Sequence, residues 1–563
     1  MRPTALFFVA AVVAAHGAAG LAQAATVFDH ANGYTLNSKN ELVRFTAFAI
    51  DDAGRLISVG SAAQVAAKAP AARHIDLQGQ TVLPGLIDAH GHVFGLGDML
   101  TQLDLSSTVT LADALKVTAV YARANPVVEG NSASSAWLRG RGWNQEVWKL
   151  GRFPTAAELD SVVPNRPVWL ERVDGHAGWA NSAALKLAGI TNSTPDPVGG
   201  KIVRDAQGNA TGILIDAARA LVERVLPPQT EARARVALDR ALAELARVGL
   251  TSVHDAGVDI ASDALYRDYA DNGKLSARVY AMIGGTERDF DVLAAKGPLK
   301  TYASDMYMLR AVKLYSDGAL GSRGAALIAP YSDEPGSHGL LFKTDAQMRA
   351  MMEKAMRKGY QVNVHAIGDA GNRQILDGYQ ELVPKTATGG LRHRIEHAQV
   401  VAPADIVRFR QIGVIPSMQP THATSDMNMA EQRVGAERIK GAYAWRTFLK
   451  QGSRIACGSD FPVESPNPFY GIHAAVTRQN SANLPAAGWH KEQAMNLQEA
   501  FRCFTLDAAF AGHQENQVGS LEAGKWGDFI VIDRDLFTIA PADIHKIGVL
   551  QTWVAGKQVF QKK

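Results

Sequence analysis

The stretch that decides the fold is Leu83-Pro84-Gly85-Leu86-Ile87-Asp88-Ala89-His90-Gly91-His92. Its short apolar run, residues 85–87, leads directly into polar and imidazole side chains, as a buried strand does where it reaches an active site. His90 and His92 are separated by one residue, and on an extended strand that spacing points both rings to the same side. Two nitrogen ligands could therefore converge on one metal ion, although such a pair taken alone is weak evidence for a metal.

The same pattern recurs along much of the chain. Between about residues 83 and 509, short apolar runs that end in polar residues alternate with segments of helical period such as 231–248 and 346–358. The strand-like runs are residues 85–87, 250–254, 308–315, 360–365, 393–397, 413–418 and 454–458. This alternation predicts an α/β fold with a parallel sheet. Because the runs stop at reactive residues and no glycine-rich phosphate turn is present, a (β/α)8 TIM-like barrel is favoured over a doubly wound sheet.

The two chain ends and one internal region depart from this rhythm. Residues 25–82 and 513–563 contain short β-like pieces with Gly and Asp turns, which predicts one small β domain built from both ends around a barrel domain at 83–512. Residues 130–215, approximately, are rich in Pro, Gly and aromatic side chains and hold five of the nine tryptophans. We interpret this region as an insertion over the barrel mouth.

Residues 1–24 have the pattern of a secretory signal peptide. Arg2 precedes an apolar run at 5–15, and Ala22-Gln23-Ala24 has the small-x-small form of a cleavage site. The run is shorter than the ~20 residues that a membrane-spanning helix needs. We therefore expect an exported chain, periplasmic or secreted, that begins near Ala25 and has no membrane span once mature.

Composition excludes some classes of function. The 563 residues are 47% hydrophobic and 20% charged with a formal net charge of +3, which fits a globular protein without a basic surface for nucleic acid. Only two cysteines exist, Cys457 and Cys503, so a thiolate metal cluster is excluded. They could form one disulfide, but we expect buried reduced thiols.

Further candidate ligands follow later strand-like runs. His365 and His397 end two of them, and Asp460 follows a third within Gly458-Ser459-Asp460. A lone histidine of this kind is more often a hydrogen-bonded core residue than a ligand, but the combination favours a metal site. Lys313 stands inside an apolar strand, where a buried lysine either pairs with a carboxylate or is modified. A carbamate formed with carbon dioxide would make it an oxygen ligand able to bridge two metal ions.

The combination of motifs resembles the amidohydrolase superfamily, and within it the family 3 (YtcJ-like) amidohydrolases that include N-substituted formamide deformylases. The motifs that carry the resemblance are residues 83–92, Asp174-Gly175-His176 with Asn181-Ser182, residues 251–257, Lys313 through 317–323, residues 392–397, residues 458–463, and Gly519 through Asp528. One departure is visible, since relatives often carry Glu where this chain has Asp216. A substrate contact at that position is therefore in doubt.

The resemblance implies a distorted barrel, a β-sandwich from both chain ends, and a site with one or two divalent ions, zinc by default. His90 and His92 would hold the first ion, His365 and His397 the second, with Lys313 as a bridging carbamate and Asp460 touching the first. Such ions lower the pKa of bound water from about 15.7 towards ~7, and Asp460 would carry its proton to the departing nitrogen.

Substrate contacts are expected from segments that should reach the barrel mouth: Trp143, Trp148, His176, Asn181, Arg323 and His422. The tryptophans could equally form the core of the insertion, and His254 could support the ligands from behind. Arg323 could bind a substrate carboxylate or fix a loop through an ion pair.

We therefore predict an exported metal-dependent hydrolase that cleaves the C–N bond of a small-molecule amide of the N-acyl or N-formyl type. Lactone or ester hydrolysis and deamination of a heterocycle are the alternatives on the same site, and a binding or regulatory protein without turnover is the alternative from another class. A homodimer is left open.

Overall fold

The computed structural model describes residues 25–126, 137–227 and 230–563. The predicted signal peptide, residues 1–24, lies outside the described residues. At the centre is a sheet of eight parallel strands, numbered here in chain order: β1 Leu86–Gly91, β2 Leu250–Val258, β3 Arg278–Gly284, β4 Tyr307–Tyr315, β5 Gln361–Ala366, β6 Arg394–His397, β7 Ile415–Met418 and β8 Ala456–Cys457.

The eight strands follow one another around a nearly closed barrel in chain order. Between β1 and β8 the ring is completed by a parallel bridge from Gly91 to Phe461 and by the Asp88 carboxylate, which accepts hydrogen bonds from the backbone N–H and hydroxyl of Ser459. The predicted barrel is therefore confirmed. Seven strands lie where sequence patterns placed them, whereas β3 was not among the predicted runs.

Helices cover the outside of the barrel and join its strands. Their apolar faces pack on the strands in one continuous core, in which β-branched and aromatic side chains of the strands are fully buried. These helices are Val93–Thr101, Glu231–Arg247, Ile260–Asp271, Arg288–Leu293, Asp345–Arg357, Asp369–Thr386, Pro403–Ile412, Ala430–Arg438, Trp445–Lys450, Pro468–Thr477, Leu497–Cys503 and Leu506–Ala511. The helix Pro420–Asp426 lies instead at the mouth of the barrel. No helix of the described residues combines the length and apolar character needed to cross a bilayer.

Two further sheets lie outside the barrel, one built from N-terminal strands and one from strands of both chain ends. One contains Leu56–Gly60, Ala47–Asp51, Ala25–Asp29 and Arg73–Asp76 in that order, and the other contains Lys557–Gln561, Val549–Val554, Phe529–Ile532, Thr81–Pro84, Asn32–Leu36 and Leu42–Phe45. Phe28 stacks on Phe48 with ring centroids 4.8 Å apart and meets Phe529 edge-on at 5.0 Å, so aromatic rings from both ends share one core. The short helix Ala62–Lys68 packs beside the first sheet.

A fourth sheet lies between β1 and the helix Glu231–Arg247 in the sequence. Its order is Gly200–Arg204, Ala210–Asp216, Ala177–Ala180, Val168–Arg172, Leu138–Trp143 and Leu103–Asp104, with the helices Leu111–Ala124, Ala156–Asp160, Ser182–Leu187 and Ala220–Glu223. The sheet supplies one wall of the large cavity described below, because Arg141, Glu171 and Asp216 from three of its strands line that cavity.

Two buried links hold the outer elements to the barrel. Arg278 at the start of β3 makes two hydrogen bonds, of 2.7 and 2.9 Å, to the Asp528 carboxylate just before a strand of the end-domain sheet. Cys457 at the end of β8 is disulfide-bonded to Cys503, so the expectation of reduced thiols was wrong. The helix Leu497–Cys503 brings the two Cα atoms to 5.1 Å, within the bridging range that sequence separation could not reveal.

Candidate metal centre

His90 is held in one orientation at the carboxyl end of β1. Its Nδ1 lies 2.5 Å from a carboxylate oxygen of Glu396 on β6, and both side chains are fully buried. When Nδ1–H donates a hydrogen bond to the carboxylate, the proton stays on Nδ1 and the Nε2 lone pair of His90 is free to act as a ligand. The arrangement follows from the barrel, because β1 and β6 bring their ends to the same central space.

Asp460 lies beside both histidines of the opening stretch. Its Oδ1 is 3.1 Å from His92 Nε2 and 3.5 Å from His90 Nε2. The loop after β8 delivers it there with a φ of 60°, and its backbone N–H donates to the carbonyl of His90 at 2.7 Å. Strand β1 therefore positions the carboxylate as well as the imidazoles.

The two later histidines complete a ring of imidazoles. His397 lies with its ring centroid 4.9 Å from that of His90 and 4.5 Å from that of His365, and its Nδ1 is 2.9 Å from Gln419 Oε1. Possible ligand atoms of His90, His397 and Asp460 lie within 4.8 Å of one another. His365 is adjacent, but its Nε2 faces the carbonyl of Gly318 at 3.5 Å.

Electrostatics favour ligand forms of these side chains. Burial lowers the pKa of His90 to about 4, with the Lys313 cation acting in the same direction. Burial also holds the pKa values of His365 and His397 well below their usual range. Burial alone would raise the pKa of Asp460, but the neighbouring imidazoles outweigh it and hold this pKa well below the usual range. Neutral imidazoles around an ionised carboxylate are the forms that bind a divalent cation.

Lys313 reaches the same point from β4. Its side chain is 1% exposed, and Nζ lies 3.0 Å from His90 Nε2. Among the described residues no carboxylate lies within 4.0 Å of Nζ, although Tyr315 presents its ring 4.8 Å away. A buried ammonium without a carboxylate partner is costly, which marks Lys313 as a functional residue.

These side chains form the floor of a cavity of about 1060 Å³. Of the predicted site residues, His92, Lys313, His365, His397, Asp460, His176 and His422 line it. His422 is 3.7 Å from Asp460 Oδ2, and its ring stacks on His397 with centroids 5.9 Å apart. The His176 ring lies 5.2 Å from that of His365.

His176 is oriented by a residue whose role the sequence left in doubt. Its Nδ1 is 2.7 Å from Asp216 Oδ1, and the Asp216 side chain is 1% exposed. Although burial opposes protonation, the hydrogen-bonded carboxylate raises the pKa of His176. Asp216 thus acts on the cavity through His176.

Four of the expected substrate residues lie away from the cavity lining. Trp143 and Trp148 are buried in the core of the insertion, where their indole N–H groups donate to the carbonyls of Leu170 and Thr108. Asn181 caps the helix Ser182–Leu187 and donates to two backbone carbonyls.

Arg323 likewise has a structural role, in an ion pair. Its guanidinium is bound by Asp333 at 3.0 Å and Glu334 at 3.3 Å, so the ion-pair alternative describes it. It does not belong to the residues that line the cavity.

His254 is connected to His90 through two intervening side chains, Arg394 and Glu396. Its Nδ1 accepts from Arg394 at 3.1 Å, and Arg394 lies 3.8 Å from Glu396, the partner of His90. Glu396 and Gln419 were not expected from the sequence. The signal for Glu396 was present, because a carboxylate directly before His397 on a predicted barrel strand needs a partner.

Comparison with known proteins agrees with this geometry. A model of the amidohydrolase family matches residues 73–560. The chain is 33% identical over 500 residues to the putative amidohydrolase YtcJ of Bacillus subtilis (strain 168), covering 88% of this chain and 91% of that protein. It is 30% identical over 549 residues to the N-substituted formamide deformylase of Arthrobacter pascens, covering 95% and 98%.

A solved structure is similar along nearly the whole chain. The uncharacterized metal-dependent hydrolase from Pyrococcus horikoshii OT3 superposes with a TM-score of 0.73 at 27% identity, covering 92% of this chain and 99% of that one. The barrel, the buried imidazole and carboxylate cluster and these relatives together show that the chain belongs to the amidohydrolase family.

Proposed function

We propose that this protein is an exported, metal-dependent amidohydrolase that cleaves the C–N bond of an N-acyl or N-formyl amine or amino acid. The observation that carries the proposal is the convergence of His90, His397 and Asp460, with ligand atoms within 4.8 Å, at the floor of a cavity large enough for a small molecule. The N-substituted formamide deformylase of Arthrobacter pascens, by its name, acts on such a C–N bond.

The donor set fits one or two divalent ions, with zinc as the proposed metal. His90 and His92 would hold one ion together with Asp460, and His365 and His397 would hold the second. The fit rests on the buried Nε2 of His90, which Glu396 prepares as a ligand from the opposite side of the ring. Imidazole and carboxylate ligands of this kind suit zinc, and also manganese or iron.

Lys313 fits the same centre as a carbamate. An unmodified ammonium donates to the His90 Nε2 lone pair at 3.0 Å, which is the lone pair that an ion needs. Carbamylation would replace this donor with oxygen acceptors and remove the buried positive charge. Lys313 would then bridge the two ions rather than compete with them.

The chemistry can be divided between the metal and the side chains. A bound divalent ion lowers the pKa of water towards ~7 and polarises a carbonyl. Asp460, held ionised by its imidazole neighbours, accepts the proton of the attacking water and later delivers it to the departing nitrogen. His176 and His422 line the same cavity and are placed to contact the substrate.

Export is part of the proposal. The signal-peptide pattern of residues 1–24 supports it, and so does the disulfide between Cys457 and Cys503, since disulfides persist in oxidising compartments. Fractionation of a bacterial host that expresses the full chain, with mass spectrometry of the N-terminus, should find a mature form that begins near Ala25. Retention of residues 1–24 in a cytoplasmic form would contradict export.

The decisive experiment combines elemental analysis with a substrate panel. The purified protein should contain one or two divalent ions and release amine from N-formyl or N-acetyl amines. Asp460→Asn should lower turnover by about 10²- to 10⁴-fold, because it removes the proton carrier. The exposed Asp52 supplies a matched control, and Asp52→Asn should leave turnover unchanged.

Each component of the panel has a distinct meaning. Turnover of esters or lactones without amides would replace the proposal with an esterase, and release of ammonia from heterocycles would replace it with a deaminase. Metal content without any turnover would favour a binding protein.

A further inference from the structure

Among the described residues, three guanidinium groups line the cavity, and two of them are held in ion pairs. Arg172 is bound to the Asp174 carboxylate and donates to Gln145 Oε1 at 2.9 Å. Arg219 lies 2.6 Å from Glu223 and 3.6 Å from Glu171. These two arginines therefore hold the wall together, since their charges are already compensated by acidic neighbours.

Arg141 is different. It lies near the end of the strand Leu138–Trp143 and lines the same cavity. Within the described part of the chain, no carboxylate approaches its guanidinium to within 4.0 Å. Its Nη2 donates to the carbonyl of Val173 at 3.0 Å, while its Nε is buried and has no hydrogen-bond partner among the described residues.

The surroundings do not supply a substitute anion. Burial lowers the pKa of Arg141, and the carboxylates of Glu171 and Asp460 oppose this only partly. Glu171 is the cross-strand neighbour of Arg141, but its carboxylate pairs with Arg219. Arg141 and Asp460 of the candidate metal centre line the same cavity. A half-buried guanidinium that lines a cavity without a carboxylate partner is suited to an anionic ligand.

We infer that Arg141 is the specificity residue of this cavity, and that it binds the carboxylate of an anionic substrate, so that N-acyl amino acids are preferred to neutral amides. The inference rests on the proposed function for the bond that is cleaved, but the charge preference itself is a property of binding. The sequence had suggested Arg323 for this carboxylate-binding role, and the structure favours Arg141 instead.

A planar guanidinium suits this role. It presents parallel N–H donors that match the two oxygens of a carboxylate, and it remains charged when partly buried. The substrate would then be held at two points, with its carboxylate on the insertion sheet and its acyl carbon at the barrel floor. A neutral amide in the same place would leave the charge of Arg141 without a partner, which costs binding free energy.

The test compares acids with their neutral isosteres. N-formyl- and N-acetyl-phenylalanine, as both enantiomers, and their primary amides are assayed for kcat/KM with the metal-loaded enzyme. Dissociation constants for the same compounds are measured by calorimetry with Asp460→Asn, in which turnover is slow. We expect wild type to prefer the acids by about 10- to 100-fold, the range for one charge-assisted hydrogen-bonded pair.

Variants of two arginines on one strand separate specificity from structure. Arg141→Gln should reduce the acid-to-amide ratio of kcat/KM to about one by lowering kcat/KM for the acids. Arg141→Lys should restore part of the preference, because it returns the positive charge as a point charge without the planar fork. Arg139 lies two residues earlier on the same strand, outside the cavity lining, so Arg139→Gln should keep the preference.

The outcomes distinguish the two proposals. No preference for acids in wild type, or an equal loss for acids and amides in Arg141→Gln, would overturn the inference about Arg141. Selective binding of the acids without any amine release would refute amide hydrolysis but support the anion site at Arg141. Amine release without a preference for acids would support amide hydrolysis but refute the anion site.

Discussion

Replacing Glu396 by glutamine tests whether the partner of His90 sets the metal affinity. The carboxylate lies 2.5 Å from His90 Nδ1, and neither side chain has any solvent-exposed surface. Although burial opposes ionisation, His90 holds the pKa of Glu396 below its usual value. Glu396→Gln keeps the size of the side chain and an oxygen that can accept from Nδ1, but it removes the negative charge that strengthens His90 as a ligand.

The expected magnitude follows from this geometry. A short, fully buried hydrogen bond to a charged group contributes about 1.5–3 kcal/mol, and each 1.4 kcal/mol is a factor of ten. We therefore expect metal affinity to fall by about 10- to 100-fold, in line with the effect of other partners of metal-binding histidines. Competition with a chromophoric chelator measures the affinity, and circular dichroism checks the fold.

The control is Glu515→Gln, which removes a carboxylate from an ion pair with Arg392 far from His90 in the sequence and outside the cavity lining. It should not alter metal affinity. An unchanged affinity in folded Glu396→Gln would refute the argument that the carboxylate tunes His90. A loss of fold would instead point to Arg394, which lies 3.8 Å from the same carboxylate and would become an uncompensated buried charge.

Three other predictions concern the centre and its supports. Lys313→Ala should lose most of its bound metal and activity by elemental analysis and amine-release assay, with partial rescue by acetate or propionate, and full metal content without rescue would contradict a bridging carbamate. Cys503→Ala removes a disulfide that closes a loop of sequence separation 46, so its free energy of unfolding in urea should lie about 2–4 kcal/mol below that of the oxidised wild type. Wild type treated with a reducing agent should have the same free energy of unfolding as the variant. Asp528→Ala leaves the buried Arg278 unpaired and should destabilise the protein by about 3–5 kcal/mol, whereas a loss under 1 kcal/mol would show that the pair does not hold the end domain to the barrel.

Most of the barrel could be predicted from local patterns. Apolar runs that stop at histidine, lysine or aspartate mark the carboxyl ends of parallel strands, and six of the eight barrel strands carry that signature. Strand β7 was predicted from its apolar run alone, since it ends at Met418 before Gln419. Strand β3, Arg278–Gly284, lacks it, because it ends in glycine and brings no reactive side chain to the mouth. Its buried tyrosine and methionine side chains pack below the site, where periodicity alone does not separate a strand from part of a helix.

The substrate-facing residues were harder to predict, because exposure to a cavity depends on contacts between distant segments. Trp143 and Arg141 lie two residues apart on one strand, yet Trp143 is fully buried in the insertion core while Arg141 lines the cavity. From the sequence Arg323 was equally suited to bind a substrate carboxylate, but in the structure its guanidinium forms ion pairs with Asp333 and Glu334. Which guanidinium keeps unused donors is decided by its neighbours in space.

The chemistry of the centre was readable from residue type and spacing, since His90, His92, His397 and Asp460 lie at or just after strand ends and Lys313 lies inside an apolar strand, where a lysine is unusual. Those signals are local, and the residues carry them whatever surrounds them. The contact of Glu396 with His90 and the disulfide between Cys457 and Cys503 became visible only in the folded chain. The reason is physical: orientation, burial and pairing are properties of side chains brought together from separate strands, and one-dimensional spacing contains no distances between them.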